Sequence, residues 1–314
     1  MTGALKTLAS LKLTLLLILL LGATVLAASN GAMAFALALL ALNLGAAILV
    51  NPVFRAQLPL LVFHLALLAL VALAAAGRLT YLKGRVELSA GETFSGELAW
   101  RDAGLLHRSR LAEIAFTNHG FTISYSAGLN RNETRNHVSF AEGGMPRADV
   151  IGDQRPLVLQ GYRFYTSPNK GFAPVLVWRT ANGSVHRGSV HLPSYPMYDY
   201  KQAQEWNPPE SDAKLWLMLD LEEKLIDPGQ ASEFRLPRSR ALIVRAGESR
   251  VVLKPGERTA LAGGVLAYED LTTWMGYNVF YDWTLPWLLA AGLLAVLSLA
   301  WHFWRKFSRE AWDA

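Results

Sequence analysis

Residues 58–76 read LPLLVFHLALLALVALAAA. A helix of about 20 apolar residues crosses the roughly 30 Å hydrocarbon layer of a bilayer, so this run is long enough to span one. It contains a single ionisable side chain, His64. An imidazole facing lipid would leave its polar atoms unmatched, so His64 should face protein, water or a cofactor. Two readings stand at this point: a histidine bonded to a neighbouring helix, or a ligand.

Three more runs of this kind flank it, at 11–28, 33–50 and 284–304. Together the four carry one fixed charge, Lys12, and two imidazoles, His64 and His302. The segment 77–283 has the composition of a soluble domain. The chain is thus read as an α + β membrane protein. Three transmembrane helices (1–76) precede a β-rich extracytoplasmic domain (77–283), followed by a fourth helix (284–304) and a tail (305–314). The first helix is read as uncleaved, because a second apolar run follows almost at once. Asn43 and Gly45 fall in the middle of the second run, where amide and small residues mark helix packing.

Positive charge sets the orientation. Lys6 and Lys12 sit at the start of the first helix, Arg55 between the second and third, and Arg305, Lys306 and Arg309 after the fourth. The connection 29–32 is uncharged. All these cations fall on one side if both termini are cytoplasmic, which puts the large domain outside a bacterial inner membrane. His64 then lies in the inner half of its helix, roughly 9 Å along the axis from Leu58. His302 belongs to the cluster Trp301-His302-Phe303-Trp304, which reads first as an interfacial aromatic belt and second as a weak candidate ligand.

The chain has no cysteine, which excludes disulfides, thiolate metal sites and iron–sulfur clusters within it. The net charge of +5 is spread over scattered arginines. No concentrated basic face is present, so a nucleic-acid partner is not expected.

Alternation and turn residues after Gly77 predict strands at 84–88, 93–98, 121–126, 157–166, 173–180, 184–192, 214–221, 241–246, 250–253 and 264–271. Many short strands suggest a sandwich or irregular barrel. The stretch 102–110 is expected to be a short helix or a loop. The stretch 195–210, YPMYDYKQAQEWNPPE, is expected to be a long surface loop. Its Tyr195, Tyr198, Tyr200 and Trp206 form a contact surface or pin the loop to its own sheet. Asn118-His119 and Asn136-His137 are expected to be solvated near turns. His186 and His191 differ by an odd number and should point to opposite faces of a strand. Ser167 and Ser189 lack a nucleophile elbow, and neither HExxH nor a phosphate loop appears. Nothing in this domain reads as an independent enzyme.

The order of several segments resembles the ResB (CcsB) family of System II cytochrome c biogenesis. These segments are LASLKLTLLLILLLG, LLVFHLALLALVALAAAG, TYLKGRVELSAGETF, GYRFYTSPNKGFAPVLVW and the closing stretch from VVLKPGERTALAGG to LSLAWHFWRKF. The resemblance is to a shortened member. It implies a subunit that works with a ResC (CcsA) membrane partner to move haem b outward and attach it to apocytochrome c. It also implies that His64 is one axial ligand of a membrane haem, the other coming from the partner. Neutral imidazole is a common haem ligand. The ten tryptophans are dispersed, so the chain alone is not a complete haem lyase. Two alternatives stay open. One is a non-catalytic scaffold docking a respiratory or periplasmic complex. The other is an electron-transfer anchor using His64 with His302.

Overall fold

In the computed structural model, residues 3–308 are described; of the tail expected at 305–314, residues 305–307 continue the last helix and 309–314 lie outside the described residues. Two compact units result. The first contains the chain up to Lys83, the segment Asp102–Ser109 and the chain from Phe280 onward. The second contains Gly84–Arg101 and Arg110–Val279.

The first unit is helical: α1 (Gly3–Leu8), α2 (Leu11–Leu26), α3 (Asn30–Val50), α4 (Pro52–Ala56), α5 (Leu58–Thr80) and α6 (Leu285–Phe307). Three of these, α3, α5 and α6, are long and apolar enough to cross a membrane. The 23 residues of α5 extend for roughly 34 Å at 1.5 Å per residue. By contrast α2 is a shorter apolar helix of 16 residues. Leucines such as Leu15, Leu19, Leu289 and Leu297 are exposed on these helices. In water such a surface would be unstable; against lipid tails it is matched.

Sequence explains the ends of these helices. Ser29 caps α3 by accepting from Ala32 N–H, and the Asn51 carboxamide accepts from Val53 N–H at the start of α4. Pro52, Pro59 and Pro286 sit in first turns, where a missing N–H costs nothing. Asn43 packs as expected: it is 2% exposed, accepts from Thr14 Oγ1 at 2.7 Å and donates to Leu8 O at 2.5 Å. Gly45 faces Leu68 of α5. Gly77 lets α5 approach the start of α6, since a Cβ there would lie 2.8 Å from Thr284 Oγ1.

The second unit is β-rich. A seven-stranded sheet has the order Trp100–Ala103, Leu82–Ser89, Gly264–Tyr281, Tyr162–Thr180, Leu157–Leu159. Arg258–Leu261 and Val185–Ser189 pair alongside the two long strands. One four-stranded sheet runs Ser249–Leu253, Leu242–Ala246, Leu215–Leu219, Ala203–Trp206. Another runs Ser232–Glu233, Phe116–Ser126, Asn130–Glu142, Met145–Ile151. The main core gathers Trp178, Phe172, Tyr268, Leu217 and Leu242 from these strands. An aromatic cluster of Phe94, Phe116, Phe164 and Tyr277 packs edge to face or tilted, with ring centroids 5.0–5.5 Å apart.

Several expectations need correction. No strand forms over 93–98; Thr93 makes only an isolated bridge to Thr117. Gly96 there takes φ +92° and presses on the backbone of Leu111 and Ala112, which breaks the extended run. The separate strands expected at 157–166 and 173–180 are replaced by a short strand and one 19-residue strand that continues through Pro168 and Pro174. Asn118 and Asn136 are not solvated: both are 0% exposed. Their neighbours His119 and His137 are exposed, as expected. Of the two readings of 102–110 the loop holds, after Asp102 and Ala103 end a strand, but Asp102–Ser109 group with the helices and not with the β domain.

Candidate functional site

His64 lies in the second turn of α5. Its Nδ1 is 2.7 Å from the carbonyl oxygen of Leu60, one turn back. A carbonyl only accepts, so Nδ1 carries a proton and Nε2 is the nitrogen left for another partner. The ring is held between two phenyl groups. Phe54 of α4 lies at 4.2 Å between centroids, tilted by 35°, and Phe63 meets it edge-on at 5.3 Å. The Asn51-Pro52 break positions Phe54 for this contact, because it turns the chain through α4 just before α5 begins. His64 is half-buried, and the bond to Leu60 O holds the ring from behind, as a neighbouring acceptor does for a metal-bound histidine.

His302 does not join His64 in a bonded pair. It lines a cavity of about 500 Å³ with Gln57, Leu58, Pro59, Arg305 and Lys306. That places it level with the first turn of α5. His64 is five residues beyond Pro59, roughly 7.5 Å further along the axis. The cations Arg305 and Lys306 give the cavity a charge suited to carboxylates.

At the other end of α5 a polar network joins α3, α5 and the loop after Arg101. Tyr81 Oη donates to Asp102 Oδ1 at 2.7 Å, and Asn30 Nδ2 donates to Tyr81 Oη at 2.6 Å. Arg78 reaches Asn30 Oδ1 at 3.4 Å. Burial, helped by the Asp102 carboxylate, pushes the Tyr81 phenol up to about 12. It therefore stays protonated and serves as a fixed donor.

In the β domain, the structure assembles a cluster that sequence spacing did not reveal. His191 Nδ1 is 3.0 Å from Glu87 Oε2, its Nε2 is 3.0 Å from Ser89 Oγ, and Ser89 Oγ is 2.5 Å from Ser189 Oγ. Trp274 stacks on the imidazole at 4.9 Å. The order of partners matches a serine-nucleophile relay, but the surroundings do not supply the rest of one. Ser89 is 6% exposed, and the amides of Ala90 and Gly91 are already bonded to Thr273 O and Asn118 O. An oxyanion would find no donor there. The cluster is a cross-strand clamp. Glu87 with Ser89, and Ser189 with His191, each stand two residues apart on extended chain, so each pair shares a face.

Tyr195, read as part of a contact surface or as pinned to its own sheet, is 2% exposed and belongs to the main core beside Phe172 and Phe234. Tyr200 packs on it at 5.6 Å, and Trp206 is half-buried against the same core. Tyr198 is 64% exposed. The stretch 195–210 is not one long loop: Ala203–Trp206 is a strand paired with Leu215–Leu219, and Tyr195, Tyr200 and Trp206 are pinned to the domain, leaving Tyr198 as the one of the four on the surface. His186 and His191 share no site, and among the described residues no group of three metal-ligating side chains is brought together.

Lys170 is the one charged residue of the β domain that is nearly sealed, at 2% exposed. Its ammonium donates to Pro168 O at 3.3 Å. Burial, with Arg131 adding repulsion and Asp153 opposing it, lowers its pKa to about 8. Above that value the unfolded chain binds the extra proton, so stability should rise from pH 8 to about 10. Lys170→Met removes the buried charge. We expect it to raise the stability at pH 7, by about 3 kcal/mol at most, and to flatten the rise above pH 8. Thermal unfolding in detergent at both pH values measures this.

A family model described as the ResB-like family matches residues 56–310 of the chain, which takes in α5, the whole β domain and α6. No curated protein matches the sequence.

Proposed function

The chain belongs to the ResB-like family, membrane subunits of cytochrome c biogenesis, and from that premise we propose that it holds haem b in the membrane at His64. The observation that carries this reading is the bond from His64 Nδ1–H to Leu60 O, which leaves Nε2 as the ligating atom. When bound, haem would supply an iron able to accept an imidazole lone pair, and His64 is the residue that would offer it. The residues around His64 do the rest. Leu60 O fixes the tautomer, Phe54 and Phe63 hold the ring plane, and Arg305 and Lys306 are suited to neutralise porphyrin carboxylates near the helix ends.

A partner of the ResC (CcsA) type would supply the other ligand. His302, level with the first turn of α5, is the weaker candidate. Export of haem and its attachment to apocytochrome c would be the work of the complex, not of this chain alone. In this reading α2 is a fourth span. Its 16 residues extend for roughly 24 Å, and local bilayer thinning and the snorkelling stem of Lys12 make up the difference. Both termini are then cytoplasmic and the β domain lies outside the bacterial inner membrane.

Purification of the intact complex in mild detergent tests this. A haem b spectrum together with a ResC-type protein in the mass spectrum supports the reading. A preparation without haem, whose main companion is a respiratory or periplasmic complex, replaces it with the scaffold reading.

A further inference from the structure

The segment Asp102–Ser109 leaves the β domain and lies along the C-terminal end of α5. Gly104 N–H donates to Tyr81 O at 3.0 Å and Leu106 N–H to Leu79 O at 2.8 Å. His107 Nδ1 bonds Thr80 O at 2.8 Å. The approach requires glycine at 104, because a Cβ would lie 2.3 Å from the Leu79 carbonyl carbon and oxygen. Three bonds on consecutive residues of α5 and its cap hold the loop at one depth. Yet its two apolar side chains turn away from the protein: Leu105 is 86% exposed and Leu106 59%. Arg108, also exposed, follows two residues later.

We propose that Leu105 and Leu106 form a membrane-contact loop that enters the headgroup–acyl boundary, with Arg108 among the lipid phosphates. The occupant follows from depth. Ala76 ends the apolar run of α5, and Leu79, which holds the loop, is only about 4.5 Å further along the axis. Apolar side chains at that level meet the boundary layer into which interfacial segments sink by about 5–10 Å. The same level carries the aromatics of an interface. Trp283 bonds Thr80 Oγ1 at 2.9 Å, and Trp287, one turn further on, is 60% exposed. The loop therefore continues the lipid-facing surface of α5 and α6, and it fixes the depth of α5 at its C-terminal end. The inference requires α5 to span a bilayer and is independent of haem.

The absence of cysteine gives a clean test. Leu105→Cys and Leu106→Cys, each carrying a nitroxide, are reconstituted as full-length protein in phosphatidylethanolamine/phosphatidylglycerol vesicles. Leu294→Cys, exposed in mid-α6, is the lipid standard, and Met145→Cys, exposed on a hairpin of the β domain, is the aqueous standard. Collisions with oxygen should persist at 105 and 106, whereas collisions with a water-soluble nickel chelate should be lost relative to Met145. Nickel collisions equal to those at Met145 would place the loop in water and overturn the proposal. Loss of both kinds of collision would place it against protein, and would overturn it equally.

Discussion

His64→Ala should abolish the haem b absorption of the purified complex. The side chain offers the iron one nitrogen, and alanine offers none. Even removing groups that merely orient a metal-bound histidine costs about 10–100-fold in affinity, so loss of the ligand itself should exceed that range. The protein should otherwise persist. The imidazole is half-buried on a helix, alanine is the best helix former, and the only bond lost is the one to Leu60 O, an oxygen already within the helix ladder. A second arm separates ligation from packing. His64→Gly leaves room for free imidazole beside Phe54, and added imidazole should restore part of the spectrum. An unchanged spectrum in His64→Ala would remove the site from the biogenesis account, while the family membership would stand.

The largest stability effect is expected at Asn118. Its side chain is fully buried and makes three hydrogen bonds. Nδ2 donates to Leu88 O at 2.9 Å, and Oδ1 accepts from Gly120 N–H at 2.9 Å and from Asn136 Nδ2 at 2.8 Å. Asn136 in turn donates to Gly120 O and accepts from Tyr277 Oη at 2.8 Å. The network joins the end of the strand Leu82–Ser89, the paired strands Phe116–Ser126 and Asn130–Glu142, and the strand Gly264–Tyr281. Asn118→Ala would strand a carbonyl, an amide and a carboxamide out of reach of water. We expect a loss of about 3–4 kcal/mol. For a domain of this size that is roughly 10 °C in the thermal midpoint. Tyr277→Phe removes one hydroxyl and should cost only about 1–2 kcal/mol. Because the two side chains share Asn136, the double variant should lose less than the sum of the two. Full additivity, read by thermal unfolding in detergent, would show that the network does not act as a unit.

The same pair of asparagines shows where reading the sequence stops. In the strand Asn130–Glu142 the buried positions are Thr134, Asn136 and Val138, in regular alternation. Two of those three are polar, so a hydrophobicity pattern sees no strand, although the period is present. The opposite error occurs at 93–98, where alternation is visible but Gly96 turns the chain against Leu111. At 102–110 the composition leaves helix and loop equally open. The choice is made by docking along α5, which no local signal reports.

The candidate site was legible to a different degree. His64 stood out because an imidazole in an apolar run has few neighbours to explain it, and its partners are local: Leu60 is one turn away and Phe54 lies just before the helix. The Glu87–His191–Ser89–Ser189 clamp, in contrast, joins residues about a hundred positions apart. Only the pairing of distant strands creates it.

What the sequence determined by itself was the division between oil and water: apolar runs, their capping residues, the lone histidine and the strand content of the rest. These follow from transfer free energies and backbone preferences, which act within a few residues. Tertiary structure alone decided which polar residues are buried, that Tyr195 is core while Tyr198 is surface, and that residues 102–109 fold with the helices. Those outcomes depend on which remote chain arrives to satisfy a hydrogen bond or cover a ring, and no single stretch of sequence encodes its partner.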